Sequence, residues 1–130
     1  MTVYLDASAL VKLVVPEEET DALAAFLAQR PSQATSVIAL VEVRRAAARR
    51  PGVAAERVED VLGRISAIGL DRTTVSAAGA IGPPALRTLD AIHLASAAAL
   101  GDDLEAFVTY DRRLADAARV LGMPGIAPGA

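Results

Sequence analysis

The chain contains no cysteine. That excludes disulfides, thiol catalysis and any metal site built on thiolates. It also suits a reducing compartment, so a cytoplasmic location is expected. Tryptophan is absent and aromatic residues make up only 3% of the chain, so the core must be aliphatic, built from Ala, Val, Leu and Ile. Histidine occurs once, at position 93, and a lone imidazole without cysteine does not make a zinc site. A packed or hydrogen-bonded role is the expectation for it. No apolar run approaches the roughly 20 residues needed to cross a bilayer. Residues 1–15 are apolar, but Asp6 and Lys12 interrupt them. The N-terminus reaches a strand without a basic region, so neither a signal peptide nor a membrane role is expected. G-x-x-x-x-G-K, G-x-G-x-x-G and G-x-S-x-G are all missing, which leaves nucleotide cradles and a serine-hydrolase elbow unsupported.

What is present is a chain of 130 residues, 53% hydrophobic, enough for one domain over residues 1–130 with a single core. Apolar runs and breakers alternate strand with helix. Strands are expected at Thr2–Asp6, Ala34–Val37, Ile68–Leu70 and Phe107–Thr109, with an edge strand at Gly125–Ala127. Helices are expected at Ser8–Val15, Glu17–Gln29, 37–50, Ala54–Ser66, Thr74–Ala80, Arg87–Leu100 and Arg112–Leu121. Pro16, Pro51-Gly52, Gly82-Pro83-Pro84, Gly101 and Gly122 punctuate them. This alternation indicates an α/β fold with a parallel sheet, whose ligands bind beyond the carboxyl ends of the strands.

Four acids stand in apolar sequence. Asp6 closes Val3-Tyr4-Leu5, Glu42 lies within Val37–Val43, Asp90 opens Ala91-Ile92-His93-Leu94-Ala95, and Asp111 follows Phe107-Val108-Thr109-Tyr110. Carboxylates in such surroundings are unfavourable unless hydrogen-bonded, paired or bound to a metal. If the four converge, they repel one another until a cation neutralises them. Each also has an ordinary reading. Asp6 and Asp111 suit helix N-caps; Asp90 suits the first turn of a helix capped by Thr88; Glu42 suits a pair with Arg45. Ser8 and Thr109 flank two of these acids and suit either orienting or plain structural roles. Asp116 suits a solvated helix position.

The net charge is −3, and setting the four acids aside turns it to +1, so the acidic total does not exclude a nucleic-acid substrate. Twelve of the thirteen basic residues are arginine, the planar phosphate binder.

The segments Asp6-Ala7-Ser8-Ala9-Leu10-Val11, Leu40-Val41-Glu42-Val43-Arg44-Arg45-Ala46, Leu89-Asp90-Ala91-Ile92-His93-Leu94-Ala95 and Thr109-Tyr110-Asp111-Arg112-Arg113-Leu114 resemble, in order and spacing, the PIN-domain ribonucleases, among them the VapC toxins of bacterial toxin–antitoxin pairs. The resemblance spans the chain, although the Gly79–Leu86 loop matches nothing in it. It implies a three-layer α/β/α fold around a mainly parallel sheet of four or five short strands. It makes Asp6, Glu42, Asp90 and Asp111 an acidic quartet around Mg²⁺ or Mn²⁺, with Ser8 and Thr109 in support. It further implies a homodimer, a cognate VapB-type antitoxin, and cleavage of structured RNA such as tRNA or rRNA. Arg87, Arg112 and Arg113 are the arginines nominated to grip RNA phosphates. The competing readings are a DNA- or flap-cutting relative, a non-catalytic PIN-like module that binds RNA or protein, and a structural domain whose acids are all caps.

Overall fold

The computed structural model describes all of residues 1–130. Its five strands are β1 (Thr2–Leu5), β2 (Gln33–Ser36), β3 (Ser66–Ile68), β4 (Leu104–Val108) and β5 (Gly125–Ile126). Seven α-helices accompany them: α1 (Ala7–Val14), α2 (Thr20–Ala28), α3 (Val37–Ala48), α4 (Ala55–Leu62), α5 (Arg72–Ala80), α6 (Thr88–Ala98) and α7 (Arg112–Val120). All strand pairs are parallel, in the order β3-β2-β1-β4-β5. The expected three-layer arrangement is therefore found, with five strands.

Alternation along the strands makes the layers. Val3, Leu5, Ala106 and Val108 face one way and bury Ala9, Leu10, Leu23, Val43, Val58 and Val61 from α1 to α4. Tyr4 and Phe107 face the other way, against Leu94 and Ala97 of α6 and Leu114 and Ala118 of α7. Their two rings stack, centroids 5.3 Å apart. A side chain of this size buried without remainder stabilises the fold by about 1.5–3 kcal/mol. With so few aromatics, that one stacked pair anchors the second layer.

Several boundaries differ from expectation, each for a tertiary or capping reason. β3 lies at Ser66–Ile68 rather than Ile68–Leu70, because pairing with β2 sets Ala34 opposite Ser66 and Ser36 opposite Ile68. The preceding helix stops at Leu62, with Gly63 at its C-cap, rather than running to Ser66. α2 starts at Thr20 rather than Glu17. The Thr20 hydroxyl accepts the Glu17 N–H at 2.9 Å and donates to the Lys12 carbonyl at 2.7 Å, folding that stretch into a turn. β4 begins three residues early, at Leu104, because it pairs along β1 from Thr2. Thr88 is the first residue of α6 and not its cap; Arg87 holds that position, and its side chain does not cap the helix backbone.

The strand order reverses direction between β1 and β4, the neighbours at the centre of the sheet. Chains leaving these two strands turn to opposite faces and open a crevice at their carboxyl ends, where ligands of parallel sheets bind. Asp6 leaves β1 and Thr109–Asp111 leave β4 at that point.

Candidate active site

Asp6 is 4% exposed, the most buried of the four acids. Its backbone ends β1 and its Oδ1 caps α1, accepting the Ala9 N–H at 3.0 Å. The Ser8 hydroxyl donates to the same oxygen at 2.6 Å, and the Thr109 hydroxyl donates to Oδ2 at 2.7 Å. Burial pushes the Asp6 carboxyl above the usual carboxylate range, against the pull of these hydrogen bonds. Capping alone does not account for a carboxylate held by two hydroxyls as well as a backbone amide in a site this dry.

The same hydroxyls tie β4 to β1. Ser8 Oγ accepts the Tyr110 N–H at 3.0 Å and Thr109 Oγ1 accepts the Asp111 N–H at 3.1 Å. Both residues thus orient Asp6 and fix the backbone that carries Asp111. Asp111 caps α7 through Oδ1, which accepts from the backbone of Arg113 and Leu114, leaving Oδ2 outward.

That Oδ2 meets Arg87. The guanidinium spans two acids, its Nη2 3.0 Å from Asp111 and its Nε 2.9 Å from Asp90. Asp90 and Asp111, from different helices, are thereby joined through one cation. Arg87, nominated for RNA phosphates, is engaged with the acids instead. The ion pairs of the chain also occupy Arg30, Arg44, Arg50 and Arg119, but neither Arg112 nor Arg113, which are exposed on α7. Asp116 pairs with Arg119, the solvated position expected of it.

Glu42 does not pair with Arg45. Its Oε1 lies 2.8 Å from Nε2 of His93, which comes from α6 on the opposite face of the sheet. His93 is in turn 2.7 Å from the Tyr4 hydroxyl through Nδ1. Tyr4 is the residue that sequence reasoning passed over. The available signal was its place in β1, out of phase with Val3 and Leu5 and two residues before Asp6. A groove of about 710 Å³ between α1 and α3 starts at Ser8, Glu42 and Tyr110 and runs past Val41 toward Arg45 and Arg49. Lys12, also in its wall, pairs with Glu19 at 2.7 Å.

The four acids are therefore linked in two groups, Asp6 with Asp111 and Asp90 through the β4 loop and Arg87, and Glu42 with His93. As the side chains stand, no three acidic or imidazole groups converge closely enough to grip a metal ion. The donor chemistry nevertheless suits Mg²⁺ or Mn²⁺: hard carboxylate oxygens, no sulfur, and a guanidinium already lodged between two of the acids.

Comparison with known proteins supplies the family. The sequence model of the PIN domain matches residues 3–120. Ribonuclease VapC46 of Mycobacterium tuberculosis is 44% identical over 97% of both chains, and ribonuclease VapC47 of the same species is 42% identical over 98% of both. Among solved structures, VapBC2 of Rickettsia felis, bound to a DNA fragment from its promoter, superposes with a TM-score of 0.70 at 16% identity, covering 98% of this chain and 99% of that one. PAE2754 of Pyrobaculum aerophilum gives 0.65 at 20% identity, covering 96% and 83%. These two show the shared fold. With the family model spanning most of the sequence, and relatives above 40% identity along nearly its whole length, the chain belongs to the PIN domain family.

Proposed function

We propose that this chain, working as one domain over residues 1–130, is a divalent-metal-dependent endoribonuclease and the toxin of a toxin–antitoxin pair. The observation that carries the reading is Asp6: a buried carboxylate at the strand-order reversal, oriented by Ser8 and Thr109 and joined through the β4 loop to Asp111. Relatives named as VapC ribonucleases support the activity and its RNA substrate, with structured tRNA or rRNA the expected class. The VapBC2 neighbour supports a VapB-type antitoxin as the partner. A homodimer in the cytoplasm completes the proposal. No helix is long and apolar enough to cross a membrane.

In this reading Asp6, Glu42, Asp90 and Asp111 hold Mg²⁺ or Mn²⁺. Such a cation supplies charge neutralisation and eases proton loss from the water that attacks phosphorus. Ser8 and Thr109 keep Asp6 from rotating and so set the direction in which its charge points. Arg87 yields its place between Asp90 and Asp111, which its exposed, flexible side chain allows. Arg112 and Arg113, free of carboxylate partners, hold phosphates beside the scissile bond as monodentate or bidentate donors. In-line attack needs no nucleophilic side chain, in keeping with a chain that has no cysteine.

A non-catalytic module that binds RNA or protein is the second reading, favoured by the separation of the acids as they stand. One experiment separates the two. Purified protein and its Asp6→Asn variant are incubated with total RNA in Mn²⁺ or in EDTA, and the new ends are mapped. Discrete cuts that need both Mn²⁺ and Asp6 are expected. RNA left whole by active-concentration protein in Mn²⁺, or cuts that persist in the variant, would overturn the nuclease assignment.

A further inference from the structure

We propose that His93 is the positioning residue for Glu42, and that Tyr4 steadies its ring from behind through Nδ1. The inference rests on the reading that Glu42 helps to hold a divalent cation. It goes beyond that reading by assigning a role to two residues on the far face of the sheet.

The hydrogen-bond directions decide the tautomer. An ionised carboxylate only accepts, so the 2.8 Å contact to Glu42 Oε1 requires the proton on Nε2. The relay takes the ring as neutral, so that Nδ1 is bare and accepts. The Tyr4 hydroxyl, 2.7 Å away, is the donor it finds. Were the ring to adopt the other tautomer, Nδ1–H could still donate to the Tyr4 oxygen, but a bare Nε2 would face the carboxylate, lone pair against lone pair.

Packing holds the relay still. Tyr4 is fully buried and lies flat on Phe107, with 8° between their planes. It meets the His93 ring edge-on, centroids 5.8 Å apart. The His93 side chain is only 3% exposed, whereas Glu42 is 26% exposed and borders the groove beside Ser8. A glutamate on an open helix face samples many rotamers. Tied at Oε1, this one keeps Oε2 without a protein partner, in a residue that lines the groove. Imidazoles that orient ligands from behind in this way act through the ligand, and their loss typically weakens metal affinity by about 10- to 100-fold.

His93 is the chain's single histidine, which makes the test direct. Full-length, metal-free protein labelled with ¹⁵N at histidine gives one pair of ring-nitrogen resonances. A protonated Nε2 and a bare, hydrogen-bonded Nδ1 are expected, and Tyr4→Phe should move the Nδ1 resonance as that bond is lost. A wild-type proton on Nδ1 would overturn the relay. Mn²⁺ affinity, measured by calorimetry on the same proteins, supplies the second arm. His93→Leu should weaken it by about tenfold. His93→Gln, whose amide N–H can stand in for Nε2–H, should recover most of the loss. Glu42→Gln should weaken it at least as much as His93→Leu. Folded His93→Leu that binds Mn²⁺ like the wild type, while Glu42→Gln binds poorly, refutes positioning and leaves the cation site standing. Unchanged affinity in Glu42→Gln removes the cation role of Glu42 itself, and the positioning role falls with it.

Discussion

Asp6→Asn offers the sharpest prediction, because it separates folding from function by sign. The wild-type carboxylate is buried, and burying an ion costs several kcal/mol even after relaxation. Asparagine removes that term. Against it, three bonds to a charged acceptor become neutral ones, each weaker by about 1 kcal/mol, and the amide end disturbs the Thr109 contact. The balance favours the variant by about 1–2 kcal/mol without metal, or roughly 4–7 °C in Tm for a chain of this length. The pH dependence follows from the raised carboxyl. Stability contributed by protonated Asp6 is present below its ordinary pKa of 3.8 and is lost as pH rises through its higher folded value. Variant and wild type should therefore unfold together near pH 4 and diverge toward pH 8. Saturating Mn²⁺ should raise the wild-type Tm and leave the variant's unchanged. Thermal unfolding followed by circular dichroism in EDTA and in Mn²⁺ measures all of this. A variant less stable than wild type in EDTA at pH 8, or a gap that does not change with pH, would refute the claim that burial dominates at Asp6.

Other outcomes follow from the same geometry. Arg87→Gln should tighten Mn²⁺ binding by roughly three- to tenfold at low salt, since a competing cation is gone, and the gain should shrink as salt screens it; equal or weaker affinity in calorimetry would show that the Asp90–Arg87–Asp111 bridge does not compete with the ion. Thr109→Val should destabilise the fold by about 1–2 kcal/mol in urea titrations and abolish RNA cleavage, because it strips a donor from Asp6 and an acceptor from the Asp111 amide. Arg112→Ala combined with Arg113→Ala should weaken RNA binding and flatten its salt slope by about one unit for each phosphate no longer held; an unchanged slope in filter binding would remove these arginines from the interface.

Much of the site was legible from local sequence. Asp6 and Asp111 follow strands and precede helices, so their capping roles can be read from their immediate neighbours. Ser8 and Thr109 stand two residues from those acids, and such short separations translate into contact once a strand and its following turn are assigned. Arg87 shows where this reasoning stops. Exposed and basic beside Asp90, it reads as a phosphate binder, yet its guanidinium also reaches Asp111, 24 residues away. No local pattern encodes that reach. Strand edges fail for the same reason: β3 took its register from β2, not from its own apolar residues.

The sequence by itself determined the alternation of strand and helix, the aliphatic core, the absence of any thiolate ligand and the unusual apolar setting of four acids. These depend on neighbours along the chain and on which side chains water rejects. Only the tertiary structure decided that β1 and β4 lie side by side, that Arg87 bridges Asp90 and Asp111, and that a histidine from one face of the sheet meets a glutamate from the other. Those outcomes depend on how whole helices seat on a twisted sheet. Burial drives that seating without direction, and the hydrogen bonds that follow belong to no single segment.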